Sequence, residues 1–176
     1  MTPSNSSALF QASVPVFVRY LGRLQHLLAR AQEHAALTDM PEQVLLDAAL
    51  APDMLPFATQ VEVACNFTLR ATFPLAGLPI PPYGAFERSF AGLQQRLLRA
   101  ELLLDELDPA AFDAAPARTI QAEAGQATHT MTASEYLLHY ASPNFFFHTT
   151  AAFAILRQQG VPVGKADFDG YHAYGR

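Results

Sequence analysis

The side chains best suited to chemistry in this sequence are one histidine and three polar residues set among apolar neighbours. In Pro143-Asn144-Phe145-Phe146-Phe147-His148-Thr149-Thr150, Asn144 and His148 stand four apart and would share one face of a helix. The stripe Phe145, His148, Ala152 and Ile155 turns that face toward a bundle interior. An imidazole there needs a partner at each ring nitrogen. A metal on one nitrogen, with a hydrogen bond on the other, would satisfy it. A side chain or carbonyl on a facing helix would do so equally. Asp53 and Gln60, seven apart, fall on one face of a second predicted helix. Asp53 could cap that helix, because a carboxylate is favoured at a helix N-terminus, or it could join the site. Brought together, Asp53, Gln60, Asn144 and His148 would form a polar ligand pocket in an apolar bundle. The metal-ligand candidates among them are His148, Asn144 and Asp53. They are a poor set for zinc or nickel, which favour imidazole nitrogen and thiolate sulfur.

The other candidates are weaker. His129 and His139 flank a predicted hairpin and short helix, and His26 and His34 lie eight apart on the first helix. None makes a His-x-x-x-His pair, and all read as exposed or rim histidines. Tyr136 and Tyr140 read as packing residues on one helix face. The single cysteine, Cys65, excludes an internal disulfide and reads as a small buried hydrophobe. Neither a Gly-rich phosphate loop nor a Gly-x-Ser-x-Gly elbow is present. The 11 Lys+Arg against 16 Asp+Glu leave a net charge of −5 without clustered cations, which argues against nucleic acid. No apolar run approaches the ~20 residues of a membrane span. Met1 to Ser7 lacks the basic and apolar parts of a signal peptide, so a cytoplasmic protein is expected.

The elements that must position these residues read as helices. The first starts near Ser13 and Pro15 and carries Phe17, Leu21, Leu24, Leu28 and Ala31 to about His34. A short helix over Pro41 to Leu50 follows, with Asp39 or Thr38 as its cap. The second long helix is predicted from Pro52, with Met54, Phe57, Val61, Ala64, Phe67 and Ala71 as its stripe, ending before the Pro- and Gly-rich segment Pro74 to Gly84. The third carries Phe86, Phe90, Leu93, Leu97, Ala100, Leu104 and Leu107, and Leu98, Leu102 and Leu103 widen its apolar face. Thr119 to Met131 reads as a β-hairpin turning at Gly125. Thr132 and Glu135 have capping-box spacing and open a short helix to Ala141. Pro143 interrupts it, and a new helix runs from Asn144 to Gln159 before Gly160. The tail from Val161 reads as an ordered strap ending in a looser terminus.

At 176 residues the chain suits one domain over 1–176. Its 51% apolar and 15% charged residues are more apolar side chain and less charge than a small monomer needs. A homodimer through a helix face is therefore expected.

Ala12-Ser13-Val14-Pro15-Val16-Phe17, Leu50-Ala51-Pro52-Asp53-Met54 with Pro56, Pro143 to His148, Ala154-Ile155-Leu156-Arg157 with Gly160, and Gly164-Lys165-Ala166-Asp167-Phe168 with Gly170 resemble an uncharacterised bacterial family. That family is a domain of unknown function related to the DinB-like metalloenzyme superfamily, and the resemblance covers nearly the whole chain. It implies an all-α fold, a DinB-like four-helix bundle with a small β-hairpin before the last helix, often a homodimer. Many superfamily members bind a divalent metal through one histidine on helix two and two on helix four, and some are thiol-dependent transferases or isomerases. Matched by Leu156-Arg157 and Gly160, His148 falls near one ligand position and Asn144 near another, with Asp53 the nearest candidate on helix two. The three-histidine set is not present. The reading that follows is a homodimeric, ligand-binding or non-catalytic bundle with a degenerate metal site. The alternative is a metal-dependent transferase-type enzyme using a divergent Asp/Asn/His site.

Overall fold

The computed structural model describes residues 7–173. The polar start of the chain up to Ser6 and the expected loose terminus from Tyr174 lie outside them. The elements are α1 (Ala8–Gln11), α2 (Val14–Leu37), α3 (Glu42–Asp47), α4 (Phe57–Ala76), α5 (Phe90–Asp105), β1 (Thr119–Ala124), β2 (Ala127–Thr132), α6 (Ala133–Glu135), a π-helical turn (Tyr136–Ala141), α7 (Ser142–Gln158) and α8 (Lys165–Asp169). Helices α2, α4, α5 and α7 form the four-helix bundle. Helix α4 packs on α7, α5 and α2, and α2 packs on α5. Phe17, Leu21, Leu24 and Leu28 from α2 meet Val61, Ala64 and Phe67 from α4, Leu93, Leu97 and Leu104 from α5, and Phe145, Ala152 and Ile155 from α7 in one buried cluster.

The boundaries differ from the sequence expectation where prolines act. Helix α4 starts at Phe57, not Pro52, because Pro56 disfavours helical backbone at the residue before it and itself serves as the extended cap residue. At its other end α4 does not stop before Pro74 but carries it in the last turn. A proline there frees the carbonyl four residues back, and that carbonyl, of Arg70, accepts a hydrogen bond from the Tyr136 hydroxyl at 2.6 Å. The helix closes at Gly77, whose φ of 76° suits glycine.

Helix α5 begins later than expected, after Ser89, whose hydroxyl accepts from the Gly92 backbone at 3.0 Å. Phe86 precedes it. A Cβ at Gly92 would stand 2.1 Å from the Glu87 carbonyl oxygen, so only glycine allows that approach. Helix α3 is capped by Pro41, not by Asp39 or Thr38. Ser13 does not accept from the first turn of α2. Its hydroxyl donates back to the Leu9 carbonyl at 2.6 Å.

The hairpin forms as expected, with Ile120 opposite Met131 and Ala122 opposite His129, and Gly125 at φ 61° in its turn. The capping box also forms: Thr132 Oγ1 accepts from the Glu135 amide at 3.3 Å and Glu135 accepts from the Thr132 amide at 3.0 Å. The predicted break at Pro143 does not. Ala141 and Ser142 keep helical backbone, and the chain runs through a wider π turn into α7. That turn gives the proline ring room beside the carbonyl four residues earlier. The tail strap is α8 with its flanks, held on α2 by Arg19 donating to the Asp169 carbonyl at 2.6 Å, Arg23 to the Asp167 carbonyl at 2.6 Å, and His26 against Asp167 Oδ1 at 2.7 Å.

Candidate functional site

Two of the four predicted site residues come together. Gln60, one turn into α4, is buried, and its Oε1 lies 2.7 Å from His148 Nδ1 on α7. The direction of this bond follows from a second one. Gln60 Nε2 donates to the Leu55 carbonyl at 3.0 Å, which fixes Oε1 as the acceptor. Nδ1 of His148 therefore carries the proton, and Nε2 keeps its lone pair. The imidazole is half-buried and stacks on Phe67, with ring centroids 5.9 Å apart and 21° between planes. Burial holds the His148 pKa below the ordinary histidine value, so the ring is neutral near pH 7. Nε2 has no partner among the described residues, and it is not among the buried nitrogens left without one. It reaches solvent as a basic acceptor.

The other two residues do something else. Asn144, one turn before His148, turns its amide back and donates to the Tyr140 carbonyl at 2.7 Å. Asp53 is exposed in the turn that precedes α4, so the expected capping of α4 by Asp53 is not what the fold uses. On the neighbouring face of α7, with Phe147 but not His148 in its lining, lies an open apolar groove of about 420 Å³ lined also by Leu50, Met54, Phe146, Thr150 and Ala151. Phe147 borders both: its ring meets the imidazole edge-on at 5.2 Å and is 57% exposed. The sequence held a signal for this wall. Three consecutive phenylalanines cannot all face inward on one helix, because successive residues are about 100° apart.

The metal that the resemblance implies would find few donors here. His148 Nε2 offers one imidazole nitrogen. Gln60 has spent both its amide groups, and Asn144 has spent its amide nitrogen. Among the described residues no group of three or more His, Cys, Asp or Glu side chains is placed to hold a metal ion. This donor set does not fit a zinc or nickel site. Cys65 supplies nothing here, since its thiol is buried and pushed up to about 12, chiefly by that burial. Also among the described residues, no helix is long and apolar enough to cross a membrane.

The family model described as "Domain of unknown function (DUF1993)" matches residues 9–169. Among solved structures, the crystal structure of a DinB family member protein from Shewanella denitrificans superposes with a TM-score of 0.83 at 32% sequence identity, covering 96% of this chain and 95% of that one. The comparison with curated proteins gives no match.

Proposed function

The chain belongs to the DUF1993 family, and from that premise we propose that it is a homodimeric bundle protein that binds a small molecule at the Gln60–His148 pair without a metal. The observation that carries this reading is the 2.7 Å bond from His148 to Gln60. It pins the ring, sets its tautomer and leaves Nε2 as a fixed acceptor, with Phe147 as the ring that meets the imidazole and lines the apolar groove. A ligand that fits has an apolar body for the groove and one hydroxyl or N–H donor for Nε2. Few, well-placed polar groups in an apolar pocket are the usual build of a small-molecule site.

The dimer is supported by Leu98 and Leu102, 52% and 57% exposed and one turn apart on α5. Self-association would cover them.

The test takes untagged protein through zinc, nickel and manganese dialysis, then elemental analysis, light scattering and a fragment screen read by NMR, on wild type and His148→Ala. The reading expects no retained metal, twice the 19.2 kDa chain mass, and fragments that shift Phe147 and His148 signals only in wild type. About one zinc or nickel per chain, lost in His148→Ala, would overturn it. That result would favour a metal-dependent transferase-type enzyme built on Asp53, Asn144 and His148.

A further inference from the structure

A cavity of about 620 Å³ lies at the other end of α4, between that helix, the π turn, the hairpin and the loop before α5. It lies apart from the His148 groove and shares no lining residue with it. Its size falls within the range of small-molecule pockets.

Arg70 stands in its wall. One of its nitrogens, Nη2, donates to the Glu123 carbonyl at 3.1 Å and to the Tyr140 hydroxyl at 3.4 Å. Its guanidinium lies 4.7 Å over the Phe67 ring. Among the described residues it has no carboxylate partner, and Nε and Nη1 make no hydrogen bond. The guanidinium is thus held in place by contacts that leave most of its donors unused. Across the cavity Tyr83 is half-buried, and among the described residues its hydroxyl also makes no hydrogen bond. Arg70 and Arg96 are the two cations that act on Tyr83, against burial, which raises its pKa. Pro74, Ile80 and the Tyr136 ring add apolar wall. The one acidic wall residue, Glu123, is exposed and accepts the Arg70 bond through its backbone, not its carboxylate.

We infer that this cavity binds a small organic carboxylate, with the carboxylate on Arg70 and Tyr83 and an apolar body against Pro74, Ile80 and Tyr136. Arginine presents a planar fork that matches a carboxylate in two parallel hydrogen bonds. A fixed guanidinium without a counter-ion loses little freedom when it makes them. The inference does not rest on the His148 reading and would survive its failure.

The test titrates full-length protein with phenylacetate, its neutral analogue phenylacetamide and inorganic phosphate, following backbone amides by NMR. Phenylacetate should shift the amides of 121–128 and the Arg70 Nε–H. Phenylacetamide and phosphate should bind at least about tenfold more weakly, the scale of a lost charged hydrogen-bond pair. Arg70→Gln should weaken phenylacetate to a similar degree, Arg70→Lys less, and His148→Ala not at all. Equal binding of phenylacetate and phenylacetamide, phosphate binding as tightly as phenylacetate, or no shift in 121–128 would each overturn the inference. The wild-type titrations stand even if an Arg70 variant fails to fold.

Discussion

The two ends of α4 meet the same partner segment and are built differently. At the start of the helix, Gln60 and His148 face each other across two regular helices, and both the oxygen and the nitrogen of the Gln60 amide and Nδ1 of His148 have a partner. At the far end, Pro74 leaves the Arg70 carbonyl without its usual amide donor and the π turn brings Tyr136 and Tyr140 over it. Tyr136 repairs the backbone at 2.6 Å, while the Arg70 side chain keeps donors to spare. Regular helix packing lets polar side chains satisfy each other. Broken regularity opens space and leaves polar groups facing it. Phe67 is the wall common to both ends, since His148 stacks on it, Tyr140 meets it edge-on at 5.9 Å, and Arg70 covers it.

The comparison breaks most easily at that shared wall. Phe67→Ala should cost about 3–5 kcal/mol in denaturant melts and disturb NMR signals of both His148 and Arg70. A loss below about 1 kcal/mol, or an effect at one end only, would show that the two ends are not joined through Phe67. Next, Tyr136→Phe should cost about 1–3 kcal/mol, because it leaves a buried carbonyl without a donor. Pro74→Ala in the same background should recover part of that loss by restoring the helix donor. If the double variant is no more stable than Tyr136→Phe alone, the repair account is wrong.

At the Gln60 end, Gln60→Leu should cost about 1 kcal/mol, with the Leu55 carbonyl and His148 Nδ1 unpaired. Its second readout is proton exchange at His148 Nδ1, which should speed up.

A smaller effect is on pH. Because the folded His148 pKa lies below its ordinary value of 6.5, the unfolded chain takes up the proton first as pH falls. Stability should therefore drop below about pH 6.5 and level off once pH passes the folded value. A His148→Asn variant should lack that step. An identical profile for the two proteins would contradict a desolvated, neutral ring. The carboxylates of Asp167 and Glu135 are shifted down, so their contribution is present above the ordinary carboxylate range and lost in acid. Finally, Cys65 should resist alkylation in native protein at about pH 8, since its thiol titrates near 12. Mass spectrometry before and after unfolding reads this.

Much of the frame was legible in the sequence. The stripes of α2 and α5 are amphipathic and predict their buried faces, with Leu97 fully buried as its place in the stripe implies. The hairpin and capping box follow from Gly125 and from Thr132 with Glu135. The helix limits near Pro56, Pro74 and Pro143 differ from what the sequence predicts. A proline's effect depends on whether another group takes the stranded carbonyl, and Tyr136 is 62 positions away from Pro74 in sequence. The face shared by Asn144 and His148 was correct, and Gln60 did converge on His148. Asp53 does not join them as a helical residue, because Pro56 sets the helix start at Phe57, five residues after Pro52. Arg70 carried no signal at all. It sits on a helix as an ordinary cation, and only the fold shows that its neighbours leave it without a carboxylate.

The measurement that tests the account most directly is the protonation pattern of His148, read by long-range nitrogen NMR of the full chain at about pH 7.5, without and with one equivalent of zinc. The account predicts a neutral ring with the proton on Nδ1, unchanged by zinc. A proton on Nε2, or an Nε2 signal displaced by zinc, would contradict it.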